Sequence, residues 1–315
     1  MAPPYLGNCK NCGRDATMKC AGCTEAPAYS PGDSIDSIYC SRECQKSDWL
    51  PHKAHCHALG KRKKLLRTAQ LLKAALLTYR EVGYDIDLTK IELKNGVLCL
   101  HQKLRASTVR AKRALFPNHL TTNPEHKEAA LAKNSCTTAT ALLSSLTRKL
   151  LEGVTSTIEV LDLQIGKPLI PTRLVPGDGP DCTICPHTIL KVRPRGSSET
   201  WIIDTAGCQY GFRDVLLPYE KYLTERSCKI SGKGPEPYDW TETKDLDFFD
   251  TIPFMNTTHA QKVDRGLERE ARLHFAIFVK THVTKDILNG SAAEFERKLE
   301  GFVRGLEVHM KSFSS

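Results

Sequence analysis

The 315-residue sequence predicts an α+β fold, with a small metal-stapled N-terminal module and a larger mixed helix/sheet domain ending in long helices. Three observations carry this expectation. Seven of the 13 cysteines fall within the first 56 residues, in a stretch poor in aliphatics. From Ala58 onward the composition changes abruptly, and helical and strand patterns follow one another without an internal repeat. The chain then closes on two long helical patterns, at about 260–282 and 291–311.

Hydrophobic residues make up 40% and charged residues 26%, a globular composition with enough apolar matter for a core. No stretch approaches 18 apolar residues, so no transmembrane helix is expected. The N-terminal segment MAPPYLGNCK has no apolar run of the kind a secretory signal carries. A reducing cytoplasmic or nuclear setting follows as an expectation, in which cysteines bind metal or do chemistry rather than form a disulfide framework. The net charge of +9 is concentrated: residues 61–113 hold 14 Lys+Arg against 4 Asp+Glu, and the remainder is close to neutral.

Residues 1–57 are rich in Cys, His, Gly and Pro and cannot build a core alone, so they are expected to form a metal module. Residues 58–315 are expected to form the α+β domain. Leu65, Ala69, Leu72 and Leu76 recur at helical spacing between Lys and Arg, predicting an amphipathic helix over about 58–82. Ile91 to Leu100 predicts a hairpin, with Asn95-Gly96 supplying the positive φ angles of a tight turn. Pro124 opens a short helix. Asn134-Ser135 can cap another, from Cys136 to about Leu151. Ile158–Ile165, His187–Val192 and Trp201–Asp204 read as strands, with a Pro/Gly loop from Gly166 to Pro186 between the first two. Asp214 to about Thr224 reads as helix, and 229–259 as irregular.

The first candidate site lies in the N-terminal module. Cys9-x2-Cys12, Cys20-x2-Cys23, Cys40-x3-Cys44 and His52-x3-Cys56 supply eight ligand candidates within 48 residues. Zinc takes four tetrahedral ligands, so eight imply two closed Zn²⁺ sites. The two later pairs are spaced i, i+4, on one face of a helix. Spacing alone leaves sequential and interleaved pairing both open. His55 and His57 are rivals to His52, but neither sits one helical turn from Cys56.

Tyr39-Cys40-Ser41, Cys44-Gln45, Asp48-Trp49 and His52-Lys53 with Cys56 resemble the MYND-type zinc finger over residues 9–56. The resemblance implies interleaving, with one zinc on Cys9, Cys12, Cys40 and Cys44 and the other on Cys20, Cys23, His52 and Cys56. A sixteen-residue insert between Cys23 and Cys40 departs from the pattern. The resemblance further implies a protein-interaction module that holds short proline-containing peptides, with Gln45 and Trp49 near the groove. Packing of Trp49 against the finger's own helices is the alternative.

Gly60 to Arg67, GKRKKLLR, suits a nuclear signal, a nucleic-acid patch or simply the solvated face of a helix. The last is preferred, because the segment lacks the interleaved aromatics of a single-strand groove. The finger also lacks the ligand pattern of a groove-reading zinc module. Neither nucleic acid nor membrane is therefore expected as a partner.

A second candidate site combines Cys136 at a predicted helix start, His187 opening a strand and Asp204 ending one. A nucleophile on a helix, with a base and its orienting carboxylate on adjacent strands, is the arrangement that acyl transfer needs. The order resembles the transglutaminase-like and papain-like cysteine-enzyme core over about residues 125–225. Asp204-Thr-Ala-Gly-Cys-Gln209-Tyr210 is similar to the D-P-T-x-x-Q-F segment of some members, with Thr205 in place of Pro. The stretch Trp201 to Tyr222 also resembles MYND-finger proteins of filamentous fungi, which implies no activity. Cys182-x2-Cys185 is a further knuckle, which could bind a third zinc with His187 and Cys208. A SET-type methyltransferase is not expected, since Asn118-His119 is followed by Leu-Thr-Thr-Asn-Pro without that motif's cysteine. Two functions are thus carried forward: protein interaction through the finger and, as the alternative, a cysteine-dependent hydrolase or acyl transferase.

Overall fold

The computed structural model describes residues 6–33, 36–111, 113–179, 185–232 and 234–313. Its organising element is α2 (Trp49–Val82), a helix of 34 residues. Its C-terminal three-quarters match the amphipathic pattern expected over 58–82. Its N-terminal part carries His52 and Cys56, so the helix runs unbroken past residue 57, where the sequence suggested a change of domain. Leu65, Leu72, Leu76 and Tyr79 of α2 are buried in the main core.

The finger precedes α2. Two short antiparallel pairs form it, β1 (Gly7–Asn8) with β2 (Asp15–Ala16) and β3 (Met18–Lys19) with β4 (Ile38–Tyr39). Helix α1 (Arg42–Ser47) follows, capped by the Ser41 side chain, which accepts from the Cys44 N–H. Beyond α2, β5 (Leu88–Lys94) and β6 (Val97–Gln102) make the expected hairpin, with Asn95 and Gly96 both at positive φ.

Helices α3 (Pro124–Ala132), α4 (Cys136–Leu142) and α5 (Ser144–Leu151) come next. The single helix expected over 136–151 is therefore two, separated at Leu143. Ser135 makes no side-chain cap and instead donates its hydroxyl to the Lys133 carbonyl. The main sheet then forms from β7 (Thr155–Gln164), β9 (His187–Pro194) and β10 (Trp201–Ile203). Between β7 and β9, β8 (Thr172–Val175) pairs parallel to β6, inside the stretch expected to be loop. The helix expected over 214–224 is instead β11 (Leu216–Pro218) followed by α6 (Tyr219–Glu225). Pro218 keeps Leu217 extended and has no N–H to continue a helix backward.

The segment 229–259, expected to be irregular, carries β12 (Lys229–Ile230), β13 (Glu236–Pro237) and α7 (Lys244–Asp250). The chain closes on α8 (His259–His282) and α9 (Ala292–Phe313), as expected. Helix α8 opens with a capping box between Thr258 and Gln261.

The main sheet has the order β11-β10-β9-β7-β12, antiparallel throughout, with β13 also on β7. Side chains alternate across it. Val160, Leu190, Val192 and Trp201 pack with α2, α5, α8 and α9, whereas Leu161, Leu163, Ile189, Ile202 and Leu217 pack with Tyr222 of α6. The sheet is thus buried on both faces, and its strand ends near His187 and Asp204 are held from both sides.

Arg62 clasps the finger onto this domain. It forks onto Glu199, bonds Asp33 Oδ2 at 2.9 Å, and lies over the rings of Tyr29 and Trp201. Arg67 donates to Glu25 and to the carbonyls of Leu288 and Gly290. Both arginines are buried, so Gly60–Arg67 is not simply a solvated face. Two of its cations are spent on internal ion pairs.

Candidate metal centres and a candidate thiol site

Short-range geometry builds the finger's two clusters. Each Cys-x2-Cys knuckle closes through backbone bonds, Gly13 N–H to the Cys9 carbonyl at 2.8 Å and Cys23 N–H to the Cys20 carbonyl at 2.9 Å. The β3–β4 pair brings the chain back so that Cys40 faces Cys12. Helix α1 supplies Cys44, and one face of α2 supplies His52 and Cys56. The result is two four-ligand groups, Cys9/Cys12/Cys40/Cys44 and Cys20/Cys23/His52/Cys56, with all ligand atoms of a group within 4.8 Å of one another. This is the interleaved pairing.

The spacings suit zinc. Sulfurs at the corners of a tetrahedron with Zn–S bonds of about 2.3 Å lie about 3.8 Å apart. Here Cys20 and Cys56 are 3.8 Å apart, and Cys12–Cys40 and Cys40–Cys44 are 3.5 and 3.4 Å. His52 Nε2 lies 3.3 Å from Cys20 Sγ and 3.4 Å from Cys23 Sγ, while its Nδ1 faces Ser37 Oγ at 3.4 Å. A partner on the second ring nitrogen orients the imidazole for ligation. A Cβ at Gly22 would fall 2.5 Å from Cys56 Sγ, so glycine is what lets that thiol enter the second group. Two Zn²⁺ ions fit these residues. His55 and His57 belong to neither group.

Arg42, Gln45, Lys46 and Trp49 line a shallow groove on the outer side of α1 and α2. Trp49 is 40% exposed, with its ring at a steep angle to those of His52 and His57 at 6.1 Å, and the adjacent Leu50 is 88% exposed. The indole therefore rests on the second metal group while presenting surface to solvent. Sequence reasoning singled out Gln45 and Trp49 but not the two cations beside them.

The second constellation converges as well. The β9–β10 register pairs Ile203 with Leu190, and its continuation sets Asp204 beside Ile189. His187 lies two residues further along the same face, at the diagonal position. His187 Nε2 contacts Asp204 Oδ1 at 2.9 Å, with both side chains buried. The other carboxylate oxygen accepts from the Tyr222 hydroxyl at 2.7 Å, and the Ala206 N–H donates to Oδ1 at 3.2 Å. A Cβ at Gly207 would fall 2.3 Å from Asp204 Oδ2, so that position is kept open for the carboxylate.

Helix α4 packs on β9 through Thr137 Oγ1 and Thr188 Oγ1, 3.1 Å apart. This brings Cys136 Sγ to within 3.9 Å of the carbonyl of Pro186, the residue before His187, where the imidazole's charge acts on the thiol. Cys136 is half-buried.

Electrostatics at this site differ from those of an isolated cysteine. Burial alone would raise the Cys136 thiol, but the hydrogen bond and charge of His187 lower it to about 7. Burial alone would lower His187, but Asp204 and the thiol raise it to about 10. Burial works against ionisation of Asp204 too, yet His187, Tyr222 and the Ala206 N–H hold it below the usual carboxylate value. By contrast, burial pushes Cys208 and Cys228 up to about 12. The imidazole, rather than the dipole of the seven-residue α4, is what singles out Cys136.

These contacts also bear on the third-zinc reading. His187 is committed to Asp204 through Nε2 and faces the Gln209 amide through Nδ1, and Cys208 donates to the Glu128 carbonyl. Cys185 is exposed, and Cys182 lies outside the described residues. Among the described residues, only the finger's two groups bring three or more metal-ligating side chains together.

Residues 9–56 match the family model of the MYND finger. No match was found among curated proteins or among solved structures.

Proposed function

We propose that the chain acts as a zinc-dependent protein-interaction factor, whose finger receives a proline-containing peptide in the Arg42/Gln45/Lys46/Trp49 groove. The half-exposed Trp49 indole carries this reading. It offers a flat apolar face for a proline ring, and Gln45 beside it can bond a peptide's backbone. Arg42 and Lys46 favour peptides with acidic flanks. Fluorescence polarisation with a library of labelled proline-containing peptides tests it. Binding that weakens at least tenfold in Trp49→Ala, with both zinc ions retained, is expected. Peptides that bind Trp49→Ala as tightly as the wild type refute the groove.

A second reading is supported by one observation, the buried His187–Asp204 pair beside the half-buried Cys136, whose Sγ lies 3.9 Å from the Pro186 carbonyl. In it the domain beyond the finger performs thiol acyl transfer. The Cys136 thiolate attacks a carbonyl carbon, and His187, held through Nε2 by Asp204, passes its Nδ1 proton to the leaving group as the bond to it breaks. Water or an amine then attacks the thioester, giving its proton back to His187, and the thiolate leaves. An activated ester tests this. Nitrophenyl acetate should release nitrophenolate and leave an acetyl group on the Cys136 peptide, and neither should occur in Cys136→Ala. Acetylation spread evenly over the free cysteines refutes it.

A further inference from the structure

Helix α2 carries one cationic face beyond the groove. Trp49, Lys53, His57, Gly60 and Lys64 recur every three or four residues, so they share one side of the helix, with Leu50 and Lys61 beside them. Lys53, His57 and Lys64 are exposed. The ring contact between Trp49 and His57, two turns apart, lies along this face. No Asp or Glu occurs from residue 49 to residue 80. Among the described residues, Arg62 is the one cation between Arg42 and Lys64 that forms a salt bridge, and it is buried. At the far end of the face, Lys61 Nζ donates to the Arg195 carbonyl, which brings in the exposed Arg195 of the β9–β10 turn.

Gly60 lies in the middle of this face. A glycine inside a helix is destabilising relative to alanine, yet no neighbour demands one here: a Cβ at Gly60 would meet nothing within 4 Å. The fold itself gives no reason for the glycine. A chain lying along the face would, because without a Cβ the helix backbone can be approached closely.

We infer that the bound partner continues from the groove as an acidic, extended segment, which runs over Gly60 between Lys53 and Lys64 toward Arg195. The inference rests on the groove reading above and adds the length, path and charge of the bound segment. From Lys53 to Lys64 the helix rises about 16 Å, which about five extended residues cover. Unpaired lysines on an acid-free face are complementary to carboxylates. Past His57 the face is lysine, alanine and glycine. It lacks the aromatic platforms on which bases stack, which favours an acidic peptide over a nucleic-acid strand.

Fluorescence polarisation with full-length, zinc-loaded protein tests this. The labelled probes share one proline-containing core and differ in a tract of about five residues, glutamate or glutamine, joined at either end. At low ionic strength, glutamate at one of the two ends should tighten binding roughly tenfold over glutamine, as three exposed ion pairs would. That advantage should shrink in about 0.3 M salt. The double variant Lys53→Glu/Lys64→Glu should lose it while binding the bare core as the wild type does. Gly60→Ala should raise the melting temperature, weaken the glutamate probe and leave the bare core unchanged.

Zinc content and melting temperature control for folding, and Gly60→Ala carries the test should the double variant lose zinc. Glutamate and glutamine probes that bind equally overturn the acidic path while leaving the groove reading intact. A glutamate probe that binds Gly60→Ala undiminished overturns the path over that residue. A single-stranded oligonucleotide of the same charge that binds more tightly than the glutamate probe, and loses this in the double variant, gives the face to nucleic acid and overturns the peptide. A core that the wild type does not bind overturns the groove reading itself, and the path from it.

Discussion

Replacing Arg62 by Met removes the clasp between the finger and the sheet, and the structure sets the size of the effect. Met keeps much of the apolar stem against Tyr29 and Trp201, so the loss is chiefly polar. Glu199 loses a forked pair of charge-assisted bonds and keeps the Trp201 Nε1–H at 3.1 Å. Asp33 loses one bond but keeps three donors, the N–H groups of Tyr29 and Ser30 and the Ser30 hydroxyl. Breaking a fully buried pair costs about 3–5 kcal/mol, and these carboxylates are partly exposed, so about 3 kcal/mol is expected. Calorimetry should show this as a fall in melting temperature of roughly 5–10 °C.

Acid dependence should change as well. Burial alone would raise Asp33, but the backbone of Tyr29 and Ser30, the Ser30 hydroxyl and Arg62 lower it to about 2. A carboxyl held below its unfolded value of about 3.9 contributes stability above that pH and loses it as the pH falls through 2. Without Arg62 the folded value rises, so that contribution shrinks and disappears at higher pH. Adding Glu199→Gln should recover part of the loss, because the uncompensated charge is removed. A melting temperature within 1 °C of wild type in Arg62→Met, or no recovery in the double variant, would refute this account of the clasp.

Purified protein should carry about two zinc per chain, and a strong chelator should unfold the finger because it has little core of its own. One zinc per chain refutes the eight-ligand assignment. His52→Ala should lose one zinc, whereas His55→Ala and His57→Ala should keep both; the opposite result places the ligand wrongly on α2. Gly207→Ala should displace the Asp204 carboxylate, costing about 1–3 kcal/mol and raising the Cys136 alkylation midpoint. A midpoint unchanged at near 7 would separate Asp204 from the thiol's behaviour.

Zinc-ligand candidates were legible because chelation is local. Two sulfurs three residues apart, or two ligands one helical turn apart, declare themselves in the spacing. Their interleaving was not, because it depends on the return of the chain through β4 to the first knuckle. Cys136, His187 and Asp204 were legible one by one, each at an element boundary. What surrounds them was not: Gln209 and Tyr222 reach His187 and Asp204 across 22 and 18 residues, from the turn after β10 and from α6.

The missed elements share this origin. Strand β8 exists through parallel pairing with β6, more than 70 residues earlier, in a segment whose prolines and glycines signal a loop. Helix α7 has only seven residues, and the Asp245–Arg272 pair ties it to α8. The strand β11 had a local signal, Pro218, that argued against a helix through it.

The two candidate sites are joined by the chain's own architecture. Helix α2 carries zinc ligands at one end and core leucines at the other, so the second metal group fixes the start of the helix on which the main core packs. The insert between Cys23 and Cys40 places Tyr29 against Trp201, with ring centroids 5.2 Å apart, and the Tyr29 hydroxyl accepts from the Thr200 N–H. Trp201 opens β10, and Asp204 follows that strand's last residue. The path from the finger's insert to the carboxylate that holds His187 is thus one three-residue strand, buried on both faces. The insert that departs from the MYND pattern is, in this chain, packed against the main sheet through Tyr29.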